Sequence, residues 1–346
     1  MIRDQCVPSK IAGLAVASIA AACIALPSAA RAEPVQWKMT GVISSGAVFT
    51  KHLDAISGGA FKITTHKPGT LFPHFELFKA IGKGRVDLGM DPIGFWSKTI
   101  PAAPLFSAVP FGPEAPEYLA WIYHGGGQKI LEDIVAPHGI HPIICEIGAP
   151  EASGWFRKEI KWVDDFKGLK MRFFGLGAQV MKKLGVETQL LPPSKILAAL
   201  ESGELDATEF ASPDSDFKRG FHKVAKHYYF PGWHQPYTLL TLMINKDRWA
   251  ALSATQKAQI KAACSANLVA RLAEEGAQQP GALQKLQDEG VQLHRWSPEM
   301  LAVFKKGWDE VAAEMSEKDP DFKRAWTSLS AFREKYKIWD DLALVD

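Results

Sequence analysis

A short unit occurs twice in this chain, and it restricts the fold more than any other feature. Ala80-Ile81-Gly82-Lys83-Gly84-Arg85-Val86-Asp87-Leu88 has the pattern of Ala199-Leu200-Glu201-Ser202-Gly203-Glu204-Leu205-Asp206-Ala207. Each copy reads as a helix end, a glycine able to take positive φ as a cap, and a strand that opens on a hydrophobe–aspartate pair. Two copies of one helix–turn–strand unit imply two lobes built alike. Strands are expected at Val35–Thr40, Val86–Met90, Ile140–Ile147, Lys170–Phe174 and Leu205–Phe210. Helices are expected at His74–Gly82, Ala178–Leu184 and Ser194–Glu201. That alternation is the mark of the α/β class. Ile140–Ile147 is apolar almost throughout, as in a strand buried on both faces. The last third is helical. Ser253-Ala254-Thr255-Gln256 forms a capping box that opens a helix running to about Gly290, which Pro280 is expected to kink or break. Leu301–Lys318 and Phe322–Lys337 follow as two further helices. No low-complexity tether separates the lobes, so crossing strands are expected to join them.

The first 32 residues read as a cleaved secretory leader. Arg3 and Lys10 precede the apolar run Ile11–Leu26, which exits through Ala30-Arg31-Ala32. The run is too short and too alanine-rich for a comfortable membrane span. The whole chain has 40 basic and 38 acidic side chains, and the leader's three and one leave 37 of each. Such a balance gives no electrostatic reason to expect nucleic acid or an anionic membrane as partner. Cys6 and Cys23 leave with the leader. Cys145 and Cys264 remain, in apolar strand-like and alanine-rich helix-like settings, where a disulfide and buried free thiols are both open. A mature chain of this length suits two domains better than one core.

The residues that could carry chemistry gather after the second copy of the unit. In Gly203–Gln235, Glu209 sits at the end of an apolar strand beside Phe210, ahead of Tyr228, Tyr229, Phe230 and Trp233. An ionisable carboxylate there is costly to bury unless something pairs with it, and a ligand or a bound ion could be that partner. Arg172 lies mid-strand in Leu169–Phe174, where its planar fork suits either bidentate carboxylate recognition or an internal ion pair. Glu151 follows a buried strand through a proline turn, the kind of strand-exit loop on which α/β proteins place binding groups. His222, His227 and His234 are spaced by five and seven and have no cysteine beside them, so they read as caps on an aromatic cluster, not as a zinc site. No G-x-S-x-G, P-loop or G-x-G-x-x-G context appears, which leaves covalent, phosphoryl and dinucleotide chemistry without a foothold.

The segment GWFRKEIKWVDDFKGLKMRFFGLGAQVMKKLGVETQLLPPSKILAALESGELDATEF, with PGWHQ after it, resembles the periplasmic solute receptors of TRAP (tripartite ATP-independent periplasmic) transporters. The likeness extends over nearly the whole mature chain, from ELFKAIGKGRVDLGM and FWSK to the C-terminal helices. It is most specific at Lys167–Arg172 and at the Gly-Glu-Leu-Asp-Ala unit, and it is closest to the receptors for 2-oxo and hydroxy acids. The resemblance implies a two-lobed periplasmic-binding-protein fold: lobe 1 from 33–154 with part of 242–280, lobe 2 from 155–241 with part of 281–346. It implies that Arg172 clamps a ligand carboxylate, that Glu209, the Phe210 carbonyl and Gln235 hold a metal ion, and that Glu151 contacts the ligand. Gln235 stands where relatives have a glutamate and Glu151 where they have a glutamine, so the formal charge of the set is unchanged. Phe95, before Trp96, stands where many relatives carry tyrosine. Phe95, Trp96, Phe210 and Trp233 are expected to line the ligand.

These expectations describe a periplasmic receptor, not an enzyme, that hands a small carboxylate to the membrane subunits of a TRAP transporter. Oxygen donors alone at the matched positions favour Na⁺ or Ca²⁺, with no organic cofactor. Two alternatives stand beside it. The acidic pair could face an ammonium group with no metal, helped by cation–π contact. Glu151 and Glu209 could instead serve as the acid/base pair of an exported hydrolase. A monomer and a homodimer are both compatible with the sequence.

Overall fold

A computed structural model describes residues 34–343. The expected leader, with Cys6 and Cys23, lies outside the described residues. Two mixed sheets form the two lobes. The first contains β1 (Val35–Gly41), β2 (Phe61–His66), β3 (Leu88–Asp91) and β4 (Ile140–Ile147). The second contains β5 (Gly154–Phe156), β6 (Lys170–Arg172), β7 (Glu187–Gln189), β8 (Ala207–Thr208) and β9 (His227–Phe230). The chain then returns to lobe 1 for β10 (Leu239–Asn245) and to lobe 2 for β11 (Gln292–Arg295). The orders are β2-β1-β3-β10-β4 and β11-β9-β5-β8-β6-β7. In lobe 1, β1–β3 are mutually parallel and β10 runs antiparallel between β3 and β4.

The duplicated unit serves the same purpose in both lobes. Gly84 and Gly203 take φ of 69° and 78°, the left-handed cap expected of them. The aspartate that follows then accepts from the next strand: Lys38 N–H donates to Asp87 at 2.7 Å, and Lys170 N–H donates to Asp206 at 2.9 Å. Each carboxylate thereby fastens a parallel neighbour before the sheet ladder begins. The strands open two residues later than the sequence suggests, at Leu88 and Ala207, although Asp87 N–H already donates to Lys38 O at 3.1 Å and Asp206 N–H to Lys170 O at 2.8 Å.

Helices cover the sheets. They are α1 (Ile43–Ser57), α2 (Leu77–Gly82), α3 (Ala115–His124) and α4 (Gly127–Val135) in lobe 1, with α5 (Gly177–Lys183), α6 (Ile196–Glu201) and α7 (Pro213–Arg219) in lobe 2. After β10 come α8 (Lys246–Ala250), α9 (Ala254–Asp288), α10 (Pro298–Lys318) and α11 (Pro320–Ala343). The period of two in the strands sorts the faces. Trp37, Met39, Leu88, Met90, Leu242 and Ile244 point to one side, where they pack with Phe49 and Leu53 of α1 and Ile260 of α9. In lobe 2, Trp155, Leu205 and Tyr228 pack with Ile196, Leu200 and Leu286.

Three points bear on what the sequence suggests. Pro280 lies inside α9 and does not end it. Its missing hydrogen bond and ring clash cost about 3 kcal/mol. The helix is held on α1 and β4 near its start and on α7 near its end, which outweighs that cost. Cys145 of β4 and Cys264 of α9 are joined in a disulfide across 119 residues of chain. The contact brings together segments whose nearness no local pattern reveals. Finally, β10 pairs among the described residues with the lobe 1 strands β3 and β4, so we take the return crossing to end before Leu239. Replacing Cys264 with alanine is expected to lower stability by about 2–4 kcal/mol, through the freedom regained by the unfolded chain. The denaturant midpoint should fall in the variant, and reductant should lower it in the wild type alone.

The crossings run through residues 148–153 and 231–238. They lie side by side, with Gly148 N–H donating to Thr238 O at 2.8 Å and Glu151 N–H to Gln235 O at 3.3 Å. Gly232 is required there, because a Cβ at that position would stand 2.1 Å from the Glu151 carbonyl oxygen. α9 passes from one lobe to the other, α10 packs on α5, and α11 returns to α3 and α4.

Candidate functional site

Glu151, Arg172, Glu209 and Gln235 meet where the two crossings leave the sheets. Arg172 ends β6, and Thr208 is its partner in the parallel pairing with β8, which puts Glu209 one residue beyond it. The Arg172 guanidinium donates through one nitrogen to the Glu209 carbonyl at 2.9 Å and to the Glu209 carboxylate at 2.7 Å. Both side chains are buried, Arg172 at 1% exposure and Glu209 at 0%. The internal ion pair and the binding residue, set apart as alternatives for Arg172, are thus both open to one side chain. Its Nε has no hydrogen-bond partner among the described residues. The same Glu209 oxygen accepts from the Phe174 amide, and the other oxygen has no hydrogen-bond partner.

The crossing segments supply the second carboxylate. One oxygen of Glu151 accepts from the Thr238 hydroxyl at 2.6 Å and from the Gln235 side-chain amide at 2.8 Å. Glu151 Oε2 and Gln235 Oε1 are buried with no partner. His234 joins them: its Nε2 lies 3.6 Å from Glu209 Oε2, and neither ring nitrogen makes a hydrogen bond. One ligating atom from each of Glu151, Glu209 and His234 falls within 4.8 Å of the others. Burial, and then the neighbouring Glu209 charge, push the Glu151 carboxyl well above the usual range. Burial acts on Glu209 too, but Arg172, His234 and the Phe174 amide together hold it below.

A supporting layer fixes these groups. Asp216 of α7 accepts from the Trp155 indole at 2.8 Å, the Tyr228 hydroxyl at 2.9 Å and the Ala211 amide at 3.2 Å. It therefore anchors the Phe210–Ala211 loop, and its own carboxyl is pushed up to about 7 by burial. The guanidinium groups of Arg172 and Arg219 lie over the Phe210 ring at 5.4 and 4.1 Å. Phe95 of lobe 1 meets Phe174 of lobe 2 edge-on at 4.9 Å, forming a wall across the cleft.

Two other expected residues also pack into the cores beside the site. Trp96 stacks on Phe78 at 5.5 Å, and its indole N–H is taken by the Phe75 carbonyl, so it belongs to the lobe 1 core. Trp233 stacks on Phe304 of α10 at 4.7 Å and on Phe111 at 5.7 Å, where it seats the C-terminal helices. Large rings next to a binding segment are buried in the nearest core when one is within reach. The three histidines separate: His222 stacks on Phe217, His227 contacts His294, and His234 alone reaches the carboxylates. Sequence reasoning missed His234, Thr238 and Asp216. The period of the histidines along the chain carries no signal of a contact made between crossing segments.

Residues 40–319 match bacterial extracellular solute-binding protein family 7, DctP. The chain belongs to this family. Among curated proteins, the family 7 chain is 33% identical over 313 residues to the monocarboxylate 2-oxoacid-binding periplasmic protein of a Nostoc species, covering 88% of this chain and 86% of that one. A TRAP solute-binding protein from Bordetella bronchiseptica, seen as a dimer with copurified calcium and picolinate, superposes with a TM-score of 0.87 at 32% identity, over 90% of this chain and 95% of that one. A TRAP receptor from Pseudoalteromonas atlantica with bound sodium and pyruvate gives 0.86 at 26% identity, over 90% and 97%. Membership makes the protein an extracellular solute receptor and not an enzyme, which removes the hydrolase alternative.

Proposed function

We propose that this receptor binds a small 2-oxo or hydroxy carboxylate in the periplasm, together with a hard cation, and delivers it to the membrane subunits of a TRAP transporter. Arg172 takes the ligand carboxylate through its unpartnered Nε side. Glu151, Glu209 and Gln235 hold the cation, and Phe95 and Phe210 border the ligand. The observation that carries this reading is that Glu151, Glu209 and His234 bring ligating atoms within 4.8 Å of one another, while Glu151 Oε2, Glu209 Oε2, Gln235 Oε1 and Arg172 Nε are buried without a hydrogen-bond partner among the described residues. Buried polar atoms without partners are rare in native proteins, and several around one point suit a ligand and an ion.

The donor set fits such an ion. Two carboxylates and an amide oxygen are hard ligands suited to Na⁺ or Ca²⁺. The expectation of a site without imidazole changes, since His234 Nε2 stands at its edge. A cation there would offset the glutamate charges and give an anionic ligand an attractive surface. The Nostoc, Bordetella and Pseudoalteromonas proteins support the ligand class. A thermal-shift panel of 2-oxo acids, hydroxy acids, amino acids and sugars in calcium or sodium buffer tests it. Pyruvate or a close 2-oxo acid should raise the midpoint by several degrees. Stabilisation by cationic ligands alone would contradict the reading.

A further inference from the structure

A second set of unpartnered polar atoms lies in lobe 1. Asp91 closes β3 and is 1% exposed, and Thr241 of β10 is its partner in the antiparallel pairing, fully buried. Residues directly opposite in such a pair share a face of the sheet. Leu88, Met90, Leu242 and Ile244 take the face towards α1 and α9, so Asp91 and Thr241 take the other, towards α2 and the segment before it. His74 comes from that segment, with Nε2 3.8 Å from Asp91 Oδ1. Asp91 Oδ2, Thr241 Oγ1 and His74 Nε2 are all buried and have no hydrogen-bond partner among the described residues. Burial pushes the Asp91 carboxyl well above its usual range and lowers the His74 imidazole.

The position of the set links it to the cleft. Asp91 stands at the carboxyl end of parallel strands, where open α/β sheets take up ligands. The His74 ring meets Phe95 edge-on at 5.6 Å, and Phe95 meets Phe174, whose amide donates to Glu209. Thr241 is three residues beyond Thr238, the partner of Glu151, or about 10 Å at the rise of a strand. Two polar centres thus flank one aromatic wall.

We propose that Asp91, Thr241 and His74 form a second recognition point that receives a hydroxyl group at the far end of the ligand. A hydroxyl donates to the carboxyl of Asp91 and accepts from Thr241 or His74, a complementarity that an alkyl chain lacks. The inference rests on the carboxylate-receptor reading and narrows it to acids of four or more carbons with a distal hydroxyl.

The test is calorimetric, with pairs that differ only in hydroxyl against methyl. They are 4-hydroxy-2-oxobutanoate against 2-oxopentanoate, and 5-hydroxy-2-oxopentanoate against 2-oxohexanoate, with pyruvate as reference. In the wild type the hydroxylated acid of at least one pair should bind more than tenfold tighter, since a site built to hydrogen-bond a hydroxyl rejects its alkyl counterpart. Thr241→Val, nearly isosteric, and Asp91→Leu should each bring that ratio close to one while pyruvate affinity is retained. The Asp91→Leu melting point should match or exceed the wild type, because a buried carboxyl with an unpartnered oxygen is removed. Equal affinities within both pairs in the wild type, with pyruvate bound, would overturn this inference and leave the receptor reading standing. A ratio that survives in Thr241→Val and Asp91→Leu would overturn it too. If none of these acids, pyruvate included, binds, both readings fall.

Discussion

Replacing Arg172 with lysine is expected to weaken carboxylate binding more than tenfold while the fold survives. The side chain has two tasks, and lysine can perform one of them. Its Nη1 side neutralises the buried Glu209 carboxylate at 2.7 Å, and a single ammonium can make that contact. Its Nε side has no protein partner and would meet the ligand. The second task needs the planar fork, which ammonium does not have. Losing one member of a desolvated charge pair costs about 2–5 kcal/mol, hence more than a tenfold loss of affinity. Calorimetry with pyruvate and a melting curve on the same sample separate the two tasks. Unchanged affinity in a folded variant would reduce Arg172 to the internal ion pair. A collapse of stability together with affinity would show that lysine cannot hold Glu209 and would point to the same conclusion.

The readability of this chain from sequence follows the range of the interactions involved. Local chemistry was legible. The Ser253 capping box forms as expected, with Gln256 N–H donating to Ser253 Oγ at 3.2 Å and Ser253 N–H to Gln256 Oε1 at 2.9 Å. The two glycine caps of the repeated unit form as well, since each depends on a few neighbouring residues. Arg172 and Glu209 drew notice because charge in an apolar strand conflicts with burial, and such conflicts concentrate at functional sites. What stayed hidden depends on residues distant in the chain. Trp96 and Trp233 look like cleft residues from their neighbours, yet their direction is set by Phe78 and by Phe304, which no local pattern supplies. His234 and Thr238 enter the site because two crossing segments lie side by side. Asp91 reads as an ordinary strand-end acid until Thr241, 150 positions further on, is found opposite it.

The same reasoning makes cation dependence the prediction with the largest effect. Glu151 and Glu209 present buried oxygens within 4.8 Å of one another, and an anionic ligand must approach both. A cation and a ligand carboxylate about 5 Å apart at an effective dielectric of about 20 attract by about 3 kcal/mol, so losing the cation is worth more than a hundredfold in affinity. Arg172 offsets Glu209 through their direct contact, and burial with the Glu209 charge raises the Glu151 carboxyl, so without a cation the site has little positive charge left for the ligand. The most direct measurement is a calorimetric titration of the wild-type receptor with pyruvate, before and after exhaustive chelation and replacement of sodium by a bulky organic cation, followed by calcium or sodium add-back. Glu209→Gln is run alongside. The account predicts that affinity falls by at least a hundredfold on cation removal, returns on add-back in the wild type, and returns poorly in Glu209→Gln. Full affinity for pyruvate in the cation-free wild type would contradict it.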